Sequence, residues 1–220
     1  MKARPILFSP PMVRALLDGR KTQTRRPIKP QSLIGNDGSL DVSGMTPSMV
    51  RKVNHDLPEH FGAKYFCPFG KVGDLLWVRE TFWNYGAFDS YYGFIRSKRV
   101  AYCASDSEPI DGLTLYREWR KTPSIHMPRW ASRLTLRITD IRVERVAQIA
   151  DNDAVSEGLQ RGYEGFHVED GKFFNVRPAF AFRNLWDSIN EKLGFGWNAN
   201  PWVWVLDFEV IHKNVDEVIE

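Results

Sequence analysis

The sequence has little cysteine: Cys67 and Cys103 are the only two in 220 residues. One pair cannot make a disulfide framework, and no C-x-x-C or H-E-x-x-H spacing offers ligands to zinc, so no metal site is expected. Long apolar runs are missing too. The stretch from Pro5 to Val13 is short, is broken by Pro10 and Pro11, and stops at Arg14. It fits neither a secretory leader nor the roughly 18 apolar residues of a membrane span. These absences point to a soluble chain of the reducing cytoplasm, with no membrane partner. Familiar nucleotide and nucleophile signatures are also lacking. There is no G-x-x-x-x-G-K-[ST] and no G-x-S-x-G, and Gly194-Phe195-Gly196 has no third glycine to complete a dinucleotide fingerprint. Five histidines lie scattered, with no triad spacing. No cofactor is expected.

What is present is ordinary globular composition, 43% hydrophobic and 26% charged, which excludes disorder as the main state. The length suits a single domain, 1–220, able to bury a real core without staples. The net charge of +3 is too mild to diagnose a nucleic-acid partner. Its distribution is uneven, however. Residues 1–30 carry eight cations against one acid, Asp18, whereas residues 191–220 carry two cations against six acids. That asymmetry predicts a basic surface near the N-terminus, facing a phosphate-bearing partner.

Pro5 to Phe8 reads as a short strand. Ser9 then reads as an N-cap with Pro10 in the first helical turn, Met12, Val13, Leu16 and Leu17 share a face, and Gly19 ends the helix. The cationic string Arg20 to Arg26 follows as an irregular segment, closed by Pro27. Residues from about 31 to 70 show turn signals and no periodicity, which predicts an inserted loop, with Phe61, Tyr65, Phe66 and Phe69 pinning its end to the body. Leu75 to Trp83, Arg99 to Ala104, and the alternating run from Leu134 to Val143 read as strands. Asp151 to Leu159 reads as a short helix with Asp151 as N-cap. Pro178 to Asn190 reads as a longer one, and Pro201 to His212 as a strand with Trp202 and Trp204 on one buried face. Helices do not alternate with strands, so the expected class is α+β, a mixed sheet closed into a small barrel with helices outside.

Chemistry concentrates in Gly19 to Arg26. Several cations and backbone N–H groups on one short segment suit an anionic or carbonyl-bearing ligand, although a solvated basic turn has the same composition. Lys21 can activate the Thr24 hydroxyl only if its own pKa is depressed, and Arg20, Arg25 and Arg26 are neighbours able to do that. A carboxylate is needed as well, and spacing alone does not select one. Arg79-Glu80 at a strand end reads either as a site or as a cross-strand ion pair. His126-Met-Pro-Arg129-Trp130 lies on a proline-bent loop. Its guanidinium and indole planes suit stacking on a base, and a packed structural loop is the plainer alternative.

The run from Ile6 to Arg26 resembles the opening of ASCH-domain proteins, which belong to the PUA-like superfamily of small β-barrels. Gly19, Lys21 and Arg26 match that family's Gly-x-Lys-x-x-x-x-Arg signature. Lys71-Val-Gly-Asp-Leu-Leu-Trp-Val-Arg-Glu80 is similar to its Gly-Asp turn into a barrel strand. Together with Ile125 to Ser132 and Asn200 to Val205, it resembles a longer subgroup common in tailed phages and prophages. The resemblance implies RNA or modified-nucleoside binding. At Gly19-Arg-Lys-Thr-x-Thr-x-Arg26 it is similar to a small bacterial branch that hydrolyses N4-acetylcytidine. That likeness implies Thr24 as nucleophile and Lys21 as its base. It also selects Glu157, in Ala154-Val-Ser-Glu157, as the orienting or proton-transferring acid. Arg20, Arg25, Arg26, Arg79, Glu80, His126, Arg129 and Trp130 are the expected substrate or RNA contacts. Departures are the greater length, the insertion, and Arg25 where an apolar residue is usual. The alternatives are a noncatalytic RNA- or nucleotide-binding module and a phage interaction protein without a small ligand.

Overall fold

The structure is a computed structural model that describes residues 1–29, 31, 67–106, 117–162, 165–167 and 177–220. Most of the expected 31–70 insertion, with Phe61, Tyr65 and Phe66, lies outside the described residues. At its end Cys67 is buried and Phe69 packs against the main core, as expected of Phe69.

Five strands form the main sheet. β1 (Ala3–Leu7) lies at one edge and runs parallel to β3 (Leu75–Arg79). β3 is antiparallel to β7 (Thr135–Arg145), β7 to β10 (Trp202–Ile211), and β10 to β2 (Gln23–Pro27) at the other edge. A smaller antiparallel sheet has β4 (Phe82–Asp89) between β5 (Gly93–Tyr102) and β6 (Arg117–Thr122). β8 (Gln160–Gly162) and β9 (Gly165–His167) make a two-stranded ribbon. The helices are α1 (Pro10–Leu17), α2 (Asp151–Ser156), α3 (Pro178–Asn190) and α4 (Val215–Ile219).

Strand alternation sends side chains to both faces of the main sheet, and both faces are covered. Leu76, Val78, Leu136, Ile138, Trp202, Trp204 and Leu206 pack with Met12, Val13 and Leu16 of α1 on one side. Val203 and Val205 meet Phe182 and Trp186 of α3 on the other. Leu75 and Trp77 are capped by Val215 at the start of α4. The smaller sheet is anchored where Phe82 packs on Met127 and Ala131.

The α+β class stands. Among the described residues β1 and β2 are edges that do not pair, so no closed barrel is present there. One side chain crosses between them: Arg26 donates Nη2–H to the Leu7 carbonyl at 2.7 Å.

Several elements keep the bounds read from sequence. α3 matches in full, and Trp202 and Trp204 are buried together. Three readings are corrected, and one helix is added. The basic string does not stay irregular, because residues 23–27 pair with β10 and sheet hydrogen bonding outweighs weak local preference. The strand read through Leu75–Trp83 breaks at Glu80 and Thr81, where Glu80 turns inward to Arg133. Ala150, not Asp151, is the N-cap of α2. The Asp151 carboxylate instead accepts from Ala179 N–H at 3.2 Å and from Arg177, tying α2 to α3. α4 was not expected from the sequence, since five residues span little more than one turn and leave only a cap and two first-turn acids as signals. Asn214 caps it by accepting from Asp216 N–H, while its Nδ2 donates to the Arg129, Trp130 and Ser132 carbonyls.

Candidate functional site

The site begins where α1 stops. Gly19 sits at φ +71, the left-handed region where a Cβ is costly, so the chain turns sharply. The N–H groups of Arg20 and Lys21 both return to the Ala15 carbonyl, at 2.9 and 3.0 Å. Thr22 N–H then bonds the Ser156 carbonyl at 2.9 Å, and Phe208 N–H bonds the Thr22 carbonyl at 2.9 Å. A bridge pairs Lys21 with Glu157. The segment before β2 is thus fastened both to the end of α2 and to β10. Gly158, at φ +97, completes the fit, because a Cβ there would stand 2.9 Å from Ala15 Cβ and 3.0 Å from Lys21 Cβ.

Lys21 is only 1% exposed. Its Nζ donates to the Glu157 carbonyl at 2.7 Å and to Glu157 Oε2 at 2.8 Å, and lies 5.6 Å from the centre of the Phe8 ring. Burial pushes the amine below the usual lysine range. The Glu157 charge and hydrogen bond oppose that, and the Arg26 and Arg25 charges reinforce it. A neutral amine carries two N–H groups and one lone pair. Glu157 takes two N–H donors, so the neutral form keeps its lone pair free for a proton.

Strand alternation divides the next residues. Gln23 and Arg25 face α2 and α3, while Thr24 and Arg26 face the side of Phe8 and Leu206. Arg25 is fully enclosed. Its Nη2 meets Glu144 at 3.2 Å and Asp153 at 3.0 Å, and its Nη1 donates to Gln23 and lies 3.4 Å from Glu157 Oε1. Outside that cluster Arg142 binds Glu144 at 2.9 Å and also pairs with Asp207 and Asp140. Burial works against its charge, but these acids together raise its pKa further. Arg26 stacks 5.1 Å over Phe8, and burial lowers its pKa despite the Glu157 charge.

The structure therefore brings Lys21 and Glu157 into direct contact across 136 positions of sequence. Thr24 is buried three residues along, and among the described residues its hydroxyl bonds neither of them. The expected basic surface at the N-terminus does not form at this segment. Arg20 is held by Asp18 and the Gly158 carbonyl, Lys21 by Glu157, Arg25 by three acids, and Arg26 by Leu7. The reading as a solvated basic turn fails with it, because Lys21 and Arg25 are buried.

The other sequence candidates lie elsewhere. Arg79 donates to the Ile125 carbonyl and covers Trp77, while Glu80 forms a bidentate pair with Arg133 at 2.9 and 3.1 Å. Burial holds the Glu80 pKa above the usual carboxylate range although Arg133 opposes it. Arg79 and Glu80 are thus spent separately in packing and do not pair with each other. Arg129 pairs with Asp216 at 2.6 Å. Trp130 is 43% exposed, so it is not the core residue of a packed loop. His126 borders a hollow of about 250 Å³ on the smaller sheet. Among the described residues no cluster of His, Cys, Asp and Glu is placed to hold a metal. Sequence reasoning missed Gln23, Glu144, Asp153, Arg142 and Asp207, which hold Arg25 directly or through the acids around it. Only the alternating charges of Arg142 and Glu144 hinted at them. Phe8, the ring beneath Lys21 and Arg26, gave no signal beyond hydrophobicity.

The chain matches no protein-family model, no curated protein and no solved structure.

Proposed function

We propose that this chain is an ASCH-type, PUA-like metal-independent amidohydrolase acting on an acylated cytosine nucleoside or a related modified base. The observation that carries the reading is an enclosed lysine, its pKa depressed, held by a distant glutamate and followed three residues later by a buried threonine. Simple ion pairing does not require Thr24. The approach of β1 and β2 through Arg26 and Leu7 is also compatible with a barrel mouth at this end of the sheet.

In this reading the neutral form of Lys21, which its lowered pKa makes more accessible than in a free lysine, takes the Thr24 hydroxyl proton as the oxygen attacks the acyl carbon. The carbon–nitrogen bond then breaks, and the departing exocyclic amine receives that proton from Lys21. Thr24 is left as an acyl ester. Water attacks the ester, releasing the carboxylate and restoring the hydroxyl. Glu157 fixes the amine through Oε2, and its Oε1, which the Arg25 guanidinium approaches at 3.4 Å, has a second lone pair for the substrate's amide N–H. Substrate binding must bring the hydroxyl within reach of the lone pair, as catalytic hydrogen bonds often tighten only in the complex.

The test is incubation of purified protein with N4-acetylcytidine, following cytidine and acetate by chromatography. Release by the wild type and its loss in both Lys21→Ala and Thr24→Ala is expected. Activity that survives both substitutions removes the assigned roles. Absence of release from this and other acylcytidines removes the hydrolase reading.

A further inference from the structure

The sequence makes Arg25 a candidate substrate contact, yet its side chain is fully enclosed. Burying a guanidinium is costly unless its charge and N–H groups are matched. The matching comes from several elements. On β2 itself, Gln23 accepts from Arg25 Nη1 and donates from its own Nε2 to Asp207 of β10 at 2.6 Å and to Asp153 of α2 at 3.3 Å. Asp153 also accepts from Arg25 Nη2 at 3.0 Å, and Glu144 of β7 accepts from the same nitrogen at 3.2 Å. The Phe182 ring of α3 lies 5.9 Å from the guanidinium carbon. Arg25 is therefore held by groups from β2, β7, α2 and α3, and is not free to follow a ligand.

This fixed group touches Glu157. Arg25 Nη1 lies 3.4 Å from Glu157 Oε1, while Lys21 Nζ donates to Oε2 of the same carboxylate at 2.8 Å. One anion thus serves two cations, one at each oxygen. Tethering Oε1 restrains rotation of the carboxylate about its last bond, so the lone pair left on Oε1 keeps its direction. A positive charge already at the carboxylate also weakens its hold on a second one. Arg25 cannot shed its proton, so the proton that leaves is the one on Lys21. Arg26 acts on Lys21 in the same sense, and the Phe8 ring is its other neighbour, at 5.6 Å. Around Arg25 the acids are Glu144, Asp153 and Glu157, and Arg142 pairs with Glu144 and Asp207 next to them.

We infer that Arg25 is a positioning residue: by holding Oε1 of Glu157 it aims that acid and weakens its grip on the Lys21 proton, freeing the amine to act as a base. The chemical purpose of this arrangement rests on the hydrolase reading, whereas the coupling between Arg25 and Lys21 does not. Arg25 itself touches no substrate.

The experiment follows the Lys21 amine directly. Protein labelled with carbon-13 at lysine Cε is titrated by NMR, with the Lys21 signal assigned by its absence in Lys21→Met. In Arg25→Gln the Lys21 midpoint is expected to move to higher pH by at least about half a unit. Arg25→Gln/Asp153→Asn removes the cation together with one of its acids, so its folding does not depend on an uncompensated carboxylate, and the same upward movement is expected. Arg25→Lys keeps the charge and is expected to stay near the wild-type midpoint. A midpoint that is unmoved or lowered in the folded glutamine variants overturns the inference. So do equal movements in Arg25→Lys and Arg25→Gln, which mark a packing role. With N4-acetylcytidine, Arg25→Gln is expected to lose about threefold or more in kcat at neutral pH, the loss of neutral amine that half a pH unit brings, with KM within about twofold. A raised KM with kcat unchanged marks Arg25 as a substrate contact and overturns the inference too. Absence of hydrolysis by the wild type overturns the hydrolase reading alone, because the titration needs no substrate.

Discussion

Glu157→Gln isolates one charge at the centre of the molecule. Glutamine keeps the size and a side-chain acceptor, and the Glu157 main-chain carbonyl still accepts from Lys21. What disappears is the negative charge 2.8 Å from Nζ. The influences that hold the proton on Lys21 come from Glu157, so burial, Arg26 and Arg25 then act unopposed. The folded variant sheds the proton, and the unfolded chain, with its ordinary lysine, does not. Shedding a proton costs about 1.36 kcal/mol per pH unit below the free lysine pKa of ~10.4. The ceiling on this cost is therefore about 5 kcal/mol at pH 7 and about 2 kcal/mol at pH 9. Lys21 is already shifted downward in the wild type, so the difference between the two proteins lies under that ceiling, at roughly 3 kcal/mol at neutral pH. Arg25 keeps Gln23, Glu144 and Asp153 while losing its 3.4 Å contact with Glu157, and Arg26 keeps the Leu7 carbonyl, so the largest effect falls on the lysine. The sign follows from linkage. The unfolded variant binds one more proton than the folded variant, so its deficit shrinks as pH rises, until the wild-type amine is neutral too. Urea unfolding followed by tryptophan fluorescence from pH 6 to 10 measures this. Lys21→Met/Glu157→Gln, which leaves no unpaired lysine, is expected to recover much of the loss at pH 7. A deficit under about 1 kcal/mol at pH 7, or one that stays level or grows with pH, refutes the reasoning.

Two further perturbations follow from the same geometry. Gly158→Ala puts a methyl into contact with Ala15 and Lys21 at a positive φ, so a loss of roughly 2–3 kcal/mol is expected in urea unfolding; a neutral substitution contradicts the close approach. Burial pushes Asp74 up, but the Lys2 N–H, the Arg4 guanidinium and the Lys71 N–H outweigh it and hold its pKa below the usual carboxylate range. Its stabilisation is complete above the unfolded pKa and drains away as pH falls through the folded one. Asp74→Asn is therefore expected to lose stability at neutral pH and to flatten the acid limb of the stability curve, read as urea midpoints between pH 2 and 6. An unchanged acid limb counts against the three-way grip on that carboxylate.

Legibility followed the kind of signal each segment carries. Pro178 to Asn190 was readable to both ends because its apolar spacing and its proline act within the segment itself. Trp202 and Trp204 were readable because strand alternation fixes faces without knowledge of the partner. The basic string misled for the opposite reason. Arg25 is a buried residue because Glu144, Asp153 and Glu157 come to it from β7 and from α2, and nothing local announces those acids. Glu80 was noticed for its place beside Arg79, yet its partner proved to be Arg133, 53 positions away.

The amino-acid order alone settled the class of the fold, most of its elements, and which residue types were available for chemistry, since periodicity and turn residues exert their effect over a few neighbours. Which charges meet was settled only by tertiary structure. Coulombic pairing depends on distance through space, and the sheet brings together groups the chain holds far apart. That is why Lys21 and Arg25, which read locally as a basic turn, became interior ties.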